Sequence, residues 1–207
     1  MNNFTTPPFS PSEQEKLIQK LEIFKIQGRD KRGHPVFRII GKLFPARLVS
    51  AEAVKKYLEE KIFPSLSEKP FSVVYVHTDV NRGENFPGIS ALKLIYEAIP
   101  VKVRENLVAF YFLHPGLQSR LYLATFGRLH FAGSSGLYGK LRYINRLEFL
   151  WDKVRRNEIE IPEFVYDFDE EMECCSTMDY GLESDHPGNG APTPDSSVST
   201  YSMRCIA

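Results

Sequence analysis

Two histidines each close a run of apolar, β-branched and aromatic residues. Phe71–Thr78 reads FSVVYVHT and ends on His77; Asn106–Pro115 reads NLVAFYFLHP and ends on His114. An imidazole titrates near neutral pH, so a His at a strand end can serve as acid, base or metal ligand. His77 stands two residues from Asp79, which makes an acid–base pair conceivable. No Ser or Cys lies in a nucleophile context, and no nucleophile elbow, Walker A loop, GxGxxG, HExxH or CxxC motif occurs. Two His without a third ligand are a weak metal site, so neither a metal nor another cofactor is expected. Each His also has a structural reading. His77 would bond nearby backbone or Thr78, while Pro115 would hold His114 extended and let its ring cap the strand. A hydrolase built on His77, Asp79 or His114 is the weakest functional reading, and the chain is not expected to be an enzyme.

The elements that must position these groups alternate in type. Apolar runs of eight and ten residues separated by helical periodicity are the mark of buried parallel strands joined by crossover helices, and the expected fold class is α/β. Ligands of such sheets sit at the carboxyl ends of the strands, where both histidines fall. Ser10-Pro11-Ser12-Glu13 is a capping box with Pro at the first helical position, opening a helix over roughly 11–22. A short strand is expected at 23–27, a turn at Asp30–Gly33 and a strand at Pro35–Gly41. Ser50 and Ser90 each precede a helical pattern, and Leu141–Ile144 reads as a short strand before a helix carrying Leu147, Leu150, Trp151 and Val154. The segment 117–131 (LQSRLYLATFGRLHF) is apolar on nearly every side, yet carries Arg120, Arg128 and His130. Pro162 is expected to close the folded part. After about Asp169 the pattern dissolves into Gly, Pro, Ser, Asp and Glu, a composition that cannot offset ordering entropy.

Composition narrows the function classes. The chain has 207 residues, 43% of them apolar, and no apolar run approaches the length that spans a bilayer. No secretory signal, myristoylation glycine or prenylation box is read at the termini, and three Cys make no disulfide framework, so a reduced, cytoplasmic protein is expected. The zero net charge hides an asymmetry. Residues 1–165 hold 25 Lys or Arg against 17 Asp or Glu, whereas 166–207 hold nine Asp or Glu and one Arg. A basic body suits anionic partners, and an acidic tail of opposite charge could compete for it. Nucleic acid is not expected, because the cations are scattered and the aromatics lie inside the apolar runs.

Taken in order, three blocks resemble the CRAL-TRIO lipid-binding family, in its divergent branch that includes the BCH domains. They are Gly28-Arg29-Asp30-Lys31-Arg32-Gly33-His34-Pro35-Val36, then Val73–Thr78, then Arg104-x-Asn106-Leu107 running on to His114-Pro115. The resemblance spans roughly 24–168. It departs from the family pattern at His34, where the turn usually has Arg, and at Gly116 and Gln118 after the third block. The helical domain that normally comes first is reduced to one helix.

The resemblance implies a CRAL-TRIO-like βαβ lobe whose mostly parallel sheet floors an apolar cavity closed by a gate helix. An N-terminal segment over 1–23 with one short helix would precede the domain at 24–168, and a disordered acidic tail would follow at 169–207. The implied function is non-enzymatic binding of a hydrophobic ligand, most simply a phospholipid, with transfer and transient peripheral contact with a membrane. Tyr75, His77, Tyr111, His114, Leu121, Phe126 and Leu129 are the expected lipid-lining residues. Arg104, Arg120, Arg128 and Lys140 are the expected phosphate and membrane contacts. The alternative is a BCH-type scaffold that keeps a collapsed core and holds a small GTPase or its regulator.

Overall fold

A computed structural model describes residues 9–127 and 137–178. The capping box forms as expected: Ser10 Oγ accepts from the Glu13 N–H, and the Glu13 carboxylate accepts from the Ser10 N–H at 2.8 Å. It opens helix α1 (Pro11–Lys20), which buries Gln14 and Ile18. Strand β1 (Phe24–Arg29) turns through Asp30–His34 into strand β2 (Pro35–Ile40), antiparallel to it. Ser50 Oγ caps α2 (Ala51–Tyr57), which continues through a π-helical turn (Leu58–Ile62) into α3 (Phe63–Leu66).

Strand β3 (Phe71–Val76) lies parallel to β2. Helix α4 (Ile89–Glu97) is capped at Gly88, two residues earlier than the Ser90 signal suggests; Gly88 supplies the cap at φ +87°. Pro100 then leads into α5 (Val101–Asn106) and the parallel strand β4 (Leu107–Leu113). Helix α6 (Leu117–Tyr122) runs into a π-helical stretch, Leu123–Gly127. The expected helix over 117–131 therefore has only its first part within the described residues. After α7 (Leu137–Lys140), strand β5 (Leu141–Ile144) adds parallel to β4, and α8 (Leu147–Trp151) follows. The five strands stand in the order β1-β2-β3-β4-β5, so the sheet is mostly parallel with one antiparallel edge strand. The expected α/β class is what the structure shows.

Strand alternation splits the core in two. On one face, Phe37, Val73, Phe71 and Leu107 pack against Ile18, Val54, Leu58, Phe63 and Leu66 from the helices that follow β2 and precede β1. On the other face, Val36, Ile40, Val74, Val76 and Leu113 pack against Leu147, Leu150, Val154, Ile159 and Val165.

Pro162 does not close the folded part. It leads into helix α9 (Glu163–Met178), with Glu163 in the first turn, where a carboxylate suits the positive helix end. Val165 of that helix is fully buried, and its Asp169 is bonded into the body. The boundary drawn at 168 therefore cuts through a helix. Order continues because Phe164, Val165 and Phe168 give this acidic segment an apolar side.

Candidate ligand-binding site

The Asp30 turn shows how the first block works. The buried Asp30 carboxylate accepts at 2.9 Å from the Arg32 N–H, the His34 N–H, His34 Nδ1 and Ser72 Oγ of β3. Burial pushes this carboxyl up, but the His34 ring, the His34 N–H and the Ser72 hydroxyl outweigh it and hold the group below its usual range. His34 thus occupies the place where the family turn usually carries Arg, and its imidazole meets the aspartate directly. The second and third blocks are the adjacent parallel strands β3 and β4.

At the carboxyl ends of the sheet, aromatic rings gather on one face. Tyr75 lies 5.0 Å from Phe112 and 6.5 Å from Phe110, ring centre to ring centre. His77 lies 5.1 Å from Phe112 and 5.7 Å from Tyr75, and Tyr143 of β5 meets Phe112 edge-on at 6.0 Å. Tyr75, His77, Phe112 and Tyr143 belong to neither aliphatic cluster. The Tyr75 hydroxyl reaches His77 Nδ1 at 3.3 Å, and burial pushes that hydroxyl far above its ordinary pKa while pulling His77 below its own. Both groups are therefore neutral at pH 7, as suits an apolar site. His77 bonds Tyr75 and not Thr78, and Asp79 turns away, at φ +54°, to pair with Lys42 at 2.8 Å. The conceivable His77–Asp79 pair does not form.

His114 is placed differently from the extended conformation expected before Pro115. Its backbone is left-handed, at φ +51°, and its N–H donates to Ile144 O at 2.9 Å. The buried ring joins Thr78 Oγ1 through Nδ1 at 2.8 Å and Asp169 Oδ1 through Nε2 at 3.0 Å. Asp169 also accepts from Arg146 Nε and from the Leu147 N–H at the start of α8. Since a carboxylate only accepts, Nε2 carries the proton and Nδ1 accepts from the threonine. Burial depresses the His114 pKa, and the Asp169 contact opposes this in part. The arrangement is a structural latch between β3, β4 and α9.

The expected lining residues consequently divide. Tyr75 and His77 share the aromatic face. Tyr111 packs with the opposite aliphatic cluster, and His114 belongs to the latch. Leu121 is on α6 and 63% exposed, beside Leu117 at 83%. The Phe126 side chain and Leu129 lie outside the described residues, as does Arg128.

The expected basic rim divides too. Arg120 is at the carboxyl end of the sheet, where it donates to Pro115 O, reaches Asn145 Oδ1 and lies over the Tyr143 ring at 5.5 Å. Arg104 and Lys140 precede β4 and β5, at the amino end. Lys140 Nζ donates to Arg104 O at 3.2 Å, and Arg104 lies over the Tyr96 ring. A seven-residue strand separates the two groups by roughly 20 Å. Sequence spacing places a residue before or after a strand, but a rim is a property of one end of the sheet.

Among the described residues, no cluster of three or more His, Cys, Asp or Glu could hold a metal ion, and no helix is long and apolar enough to cross a membrane.

Comparison with known proteins agrees with this geometry. The chain is similar to ganglioside-induced differentiation-associated protein 2 of Xenopus tropicalis, at 31% identity over 73% of this chain and 30% of that protein. The Danio rerio protein of the same name is 30% identical over 73% of this chain and 29% of its own length. The Mus musculus protein is 27% identical over 76% and 31%. The chain thus spans about a third of the length of these relatives. The family model described as a divergent CRAL/TRIO domain matches residues 33–171, beginning inside the Asp30 turn and ending just past Asp169. That is a family of lipid-binding-type domains whose members are typically non-enzymatic. The chain belongs to the divergent CRAL/TRIO domain family.

Proposed function

We propose that this domain binds one hydrophobic ligand, a phospholipid, without chemical turnover, over the aromatic face formed by Tyr75, His77, Phe112 and Tyr143. The carrying observation is that these rings sit at the carboxyl ends of parallel strands yet join neither aliphatic core. An apolar surface set apart from the core, at the place where open α/β sheets bind ligands, fits a lipid chain. Leu117 and Leu121 of α6 give the site its movable wall, and their exposure beside Arg120 suits transient contact with an anionic membrane surface.

A second reading is favoured by one observation. The rings already contact one another at 5.0 and 5.1 Å, which is the close packing of a collapsed core. On this reading the domain is a protein-interaction scaffold for a small GTPase or its regulator, and the aromatic face is only filler.

Native mass spectrometry of the purified chain, followed by organic extraction, separates the two. A stoichiometric phospholipid adduct supports the first reading. A bare mass after incubation with mixed phospholipid vesicles overturns it and favours the scaffold. The wall is tested by Leu117→Asp with Leu121→Asp. Both side chains are exposed, so the fold should persist while vesicle association is lost; unchanged association removes α6 from the proposal.

A further inference from the structure

On the sheet face opposite the aromatic rings lies an open cleft of about 550 Å³. Its rim is cationic: Lys31 and Arg32 from the Asp30 turn, Arg142 from β5, and Lys153 just after α8. The Tyr111 ring lies among them, and Val108, Ala109 and Ile144 add apolar surface. Lys31, Arg32, Arg142 and Lys153 are not the basic set expected from the sequence, and Tyr143 of β5, one of the rings of the proposed lipid face, also lines the cleft. We propose that this cleft binds a phosphomonoester carried on a small molecule, at a site that adjoins the lipid face only at Tyr143 and does not rest on the reading given above.

Rigidity is the first argument. The turn that presents Lys31 and Arg32 is held by the four hydrogen bonds to Asp30. It is joined to the segment presenting Lys153, because the Lys31 N–H donates to Lys153 O at 2.8 Å and the Arg155 N–H donates to Arg29 O at 3.0 Å. The backbones that carry two cations from distant parts of the sequence are thus held side by side before any ligand arrives. Such placement lowers the ordering cost of binding.

Charge is the second. Four cationic side chains line the cleft with two carboxylates, Asp30 and Asp152. The Asp30 oxygens are already occupied by internal donors. Among the described residues, Lys31, Arg32 and Lys153 enter no ion pair, whereas Lys25, Lys42, Lys55, Lys56, Lys61 and Lys93 all do. Arg142 donates through Nη1 to Gly139 O and Leu141 O, leaving its other N–H groups for an anion. A net excess of two positive charges matches a phosphomonoester, which carries about −1.5 to −2 at pH 7.

The third argument is the Tyr111 hydroxyl. Burial and the nearby Asp30 charge push it above its ordinary pKa, against the pull of Arg32 and Arg142, so it stays a donor. It has no hydrogen-bond partner among the described residues. The Asp30 oxygens near it are taken by internal donors, and a phosphate oxygen would supply the hydroxyl with an acceptor. The cleft is far larger than a phosphate alone and falls in the size range of small-molecule sites, so the ester's carbon skeleton has room over Val108, Ala109 and Ile144.

The test titrates the full chain by calorimetry with glucose 6-phosphate, a soluble monoester. A parallel arm uses flotation with phosphatidylcholine vesicles containing phosphatidic acid, a lipid bearing the same headgroup chemistry. Saturable binding of either probe supports the site, and which probe binds identifies the source. Lys31→Ala with Lys153→Ala should weaken that binding at least about tenfold, without shifting the thermal midpoint, because both side chains are exposed. Lys55→Ala with Lys56→Ala removes the same charge from α2 and should leave binding unchanged. Tyr111→Phe should weaken it severalfold. The proposal is overturned if neither probe binds saturably, or if the two double variants weaken binding equally, which would mark diffuse charge attraction. Neither outcome bears on lipid over the aromatic face, which the Leu117 and Leu121 variants address.

Discussion

His77 and His114 follow directly on adjacent parallel strands, and their preceding residues, Val76 and Leu113, are register partners. Strand alternation would put both rings on the aromatic face, His77 above Tyr75 and His114 above Phe112. Only His77 goes there. The left-handed backbone at His114 turns its ring to the other face, where Thr78 and Asp169 take both nitrogens. One face of the sheet's end is thus closed by directional polar bonds, and the other holds rings related mainly by packing. A closed latch resists movement, whereas a face held by ring contacts can part to admit a ligand. The asymmetry gives the same sheet end a fixed side and a yielding side.

The largest test of this contrast is Asp169→Ala. It removes the acceptor for His114, Arg146 and the Leu147 N–H together, and leaves the His114 ring Nε2–H buried without its acceptor. A loss of about 3 kcal/mol in urea unfolding is expected. A loss below about 1 kcal/mol would mean the latch contributes little and the two sides do not differ in this way.

Acid gives the next largest effect. His114 is buried and His77 half-buried, and burial holds both pKa values below the usual 6.5, so the unfolded chain takes up their protons first. Their contribution is fully present above that value and is lost as pH falls below it. Unfolding free energy should drop as pH falls below about 6.5, by up to about 1.4 kcal/mol per pH unit for each histidine. The carboxylates act in a lower window: Asp30, held below its ordinary 3.8, contributes stability that is lost only in stronger acid. His114→Asn keeps a residue that tolerates the left-handed backbone and removes one titrating ring. It should flatten part of the neutral-to-mild-acid slope. An unaltered slope would assign the whole acid response to His77 or other groups.

The two sides also differ in how far residue order reveals them. Strand β4 (Leu107–Leu113) falls inside the apolar run Asn106–Pro115, because a buried parallel strand needs a continuous apolar run. The Ser10–Glu13 box is local chemistry and reads directly. The aromatic face follows from alternation once β3, β4 and β5 are set side by side. The latch does not, because it joins Thr78, His114 and Asp169 from three separate elements through a backbone angle that the following Pro115 does not suggest. Helix α9 was hidden for a related reason: its acidic residues read as a solvated tail, and only the burial of Val165 and the bonds to Asp169 show what holds it. The cleft cations escaped because Lys31 and Lys153 are paired through a backbone bond across the fold, which no spacing encodes.

The smallest expected effect sharpens the contrast most, because one substitution can be made on both sides. His77→Phe exchanges one ring for another among Tyr75 and Phe112. It forfeits a single 3.3 Å hydrogen bond to the Tyr75 hydroxyl and gains apolar surface. A change within about 1 kcal/mol of either sign is expected, because the lost bond and the gained burial are of similar size. His114→Phe strips partners from Thr78 and Asp169 and asks a bulky residue to hold a positive φ, so it should cost several times more. Equal costs measured by urea unfolding would show that both rings are bound in the same way, and the division into a fixed and a yielding side would fail. With unequal costs, the His77→Phe protein becomes the proper background for lipid-adduct measurements. Its aromatic face is more apolar, its latch is intact, and any change in adduct occupancy then reports on that face alone.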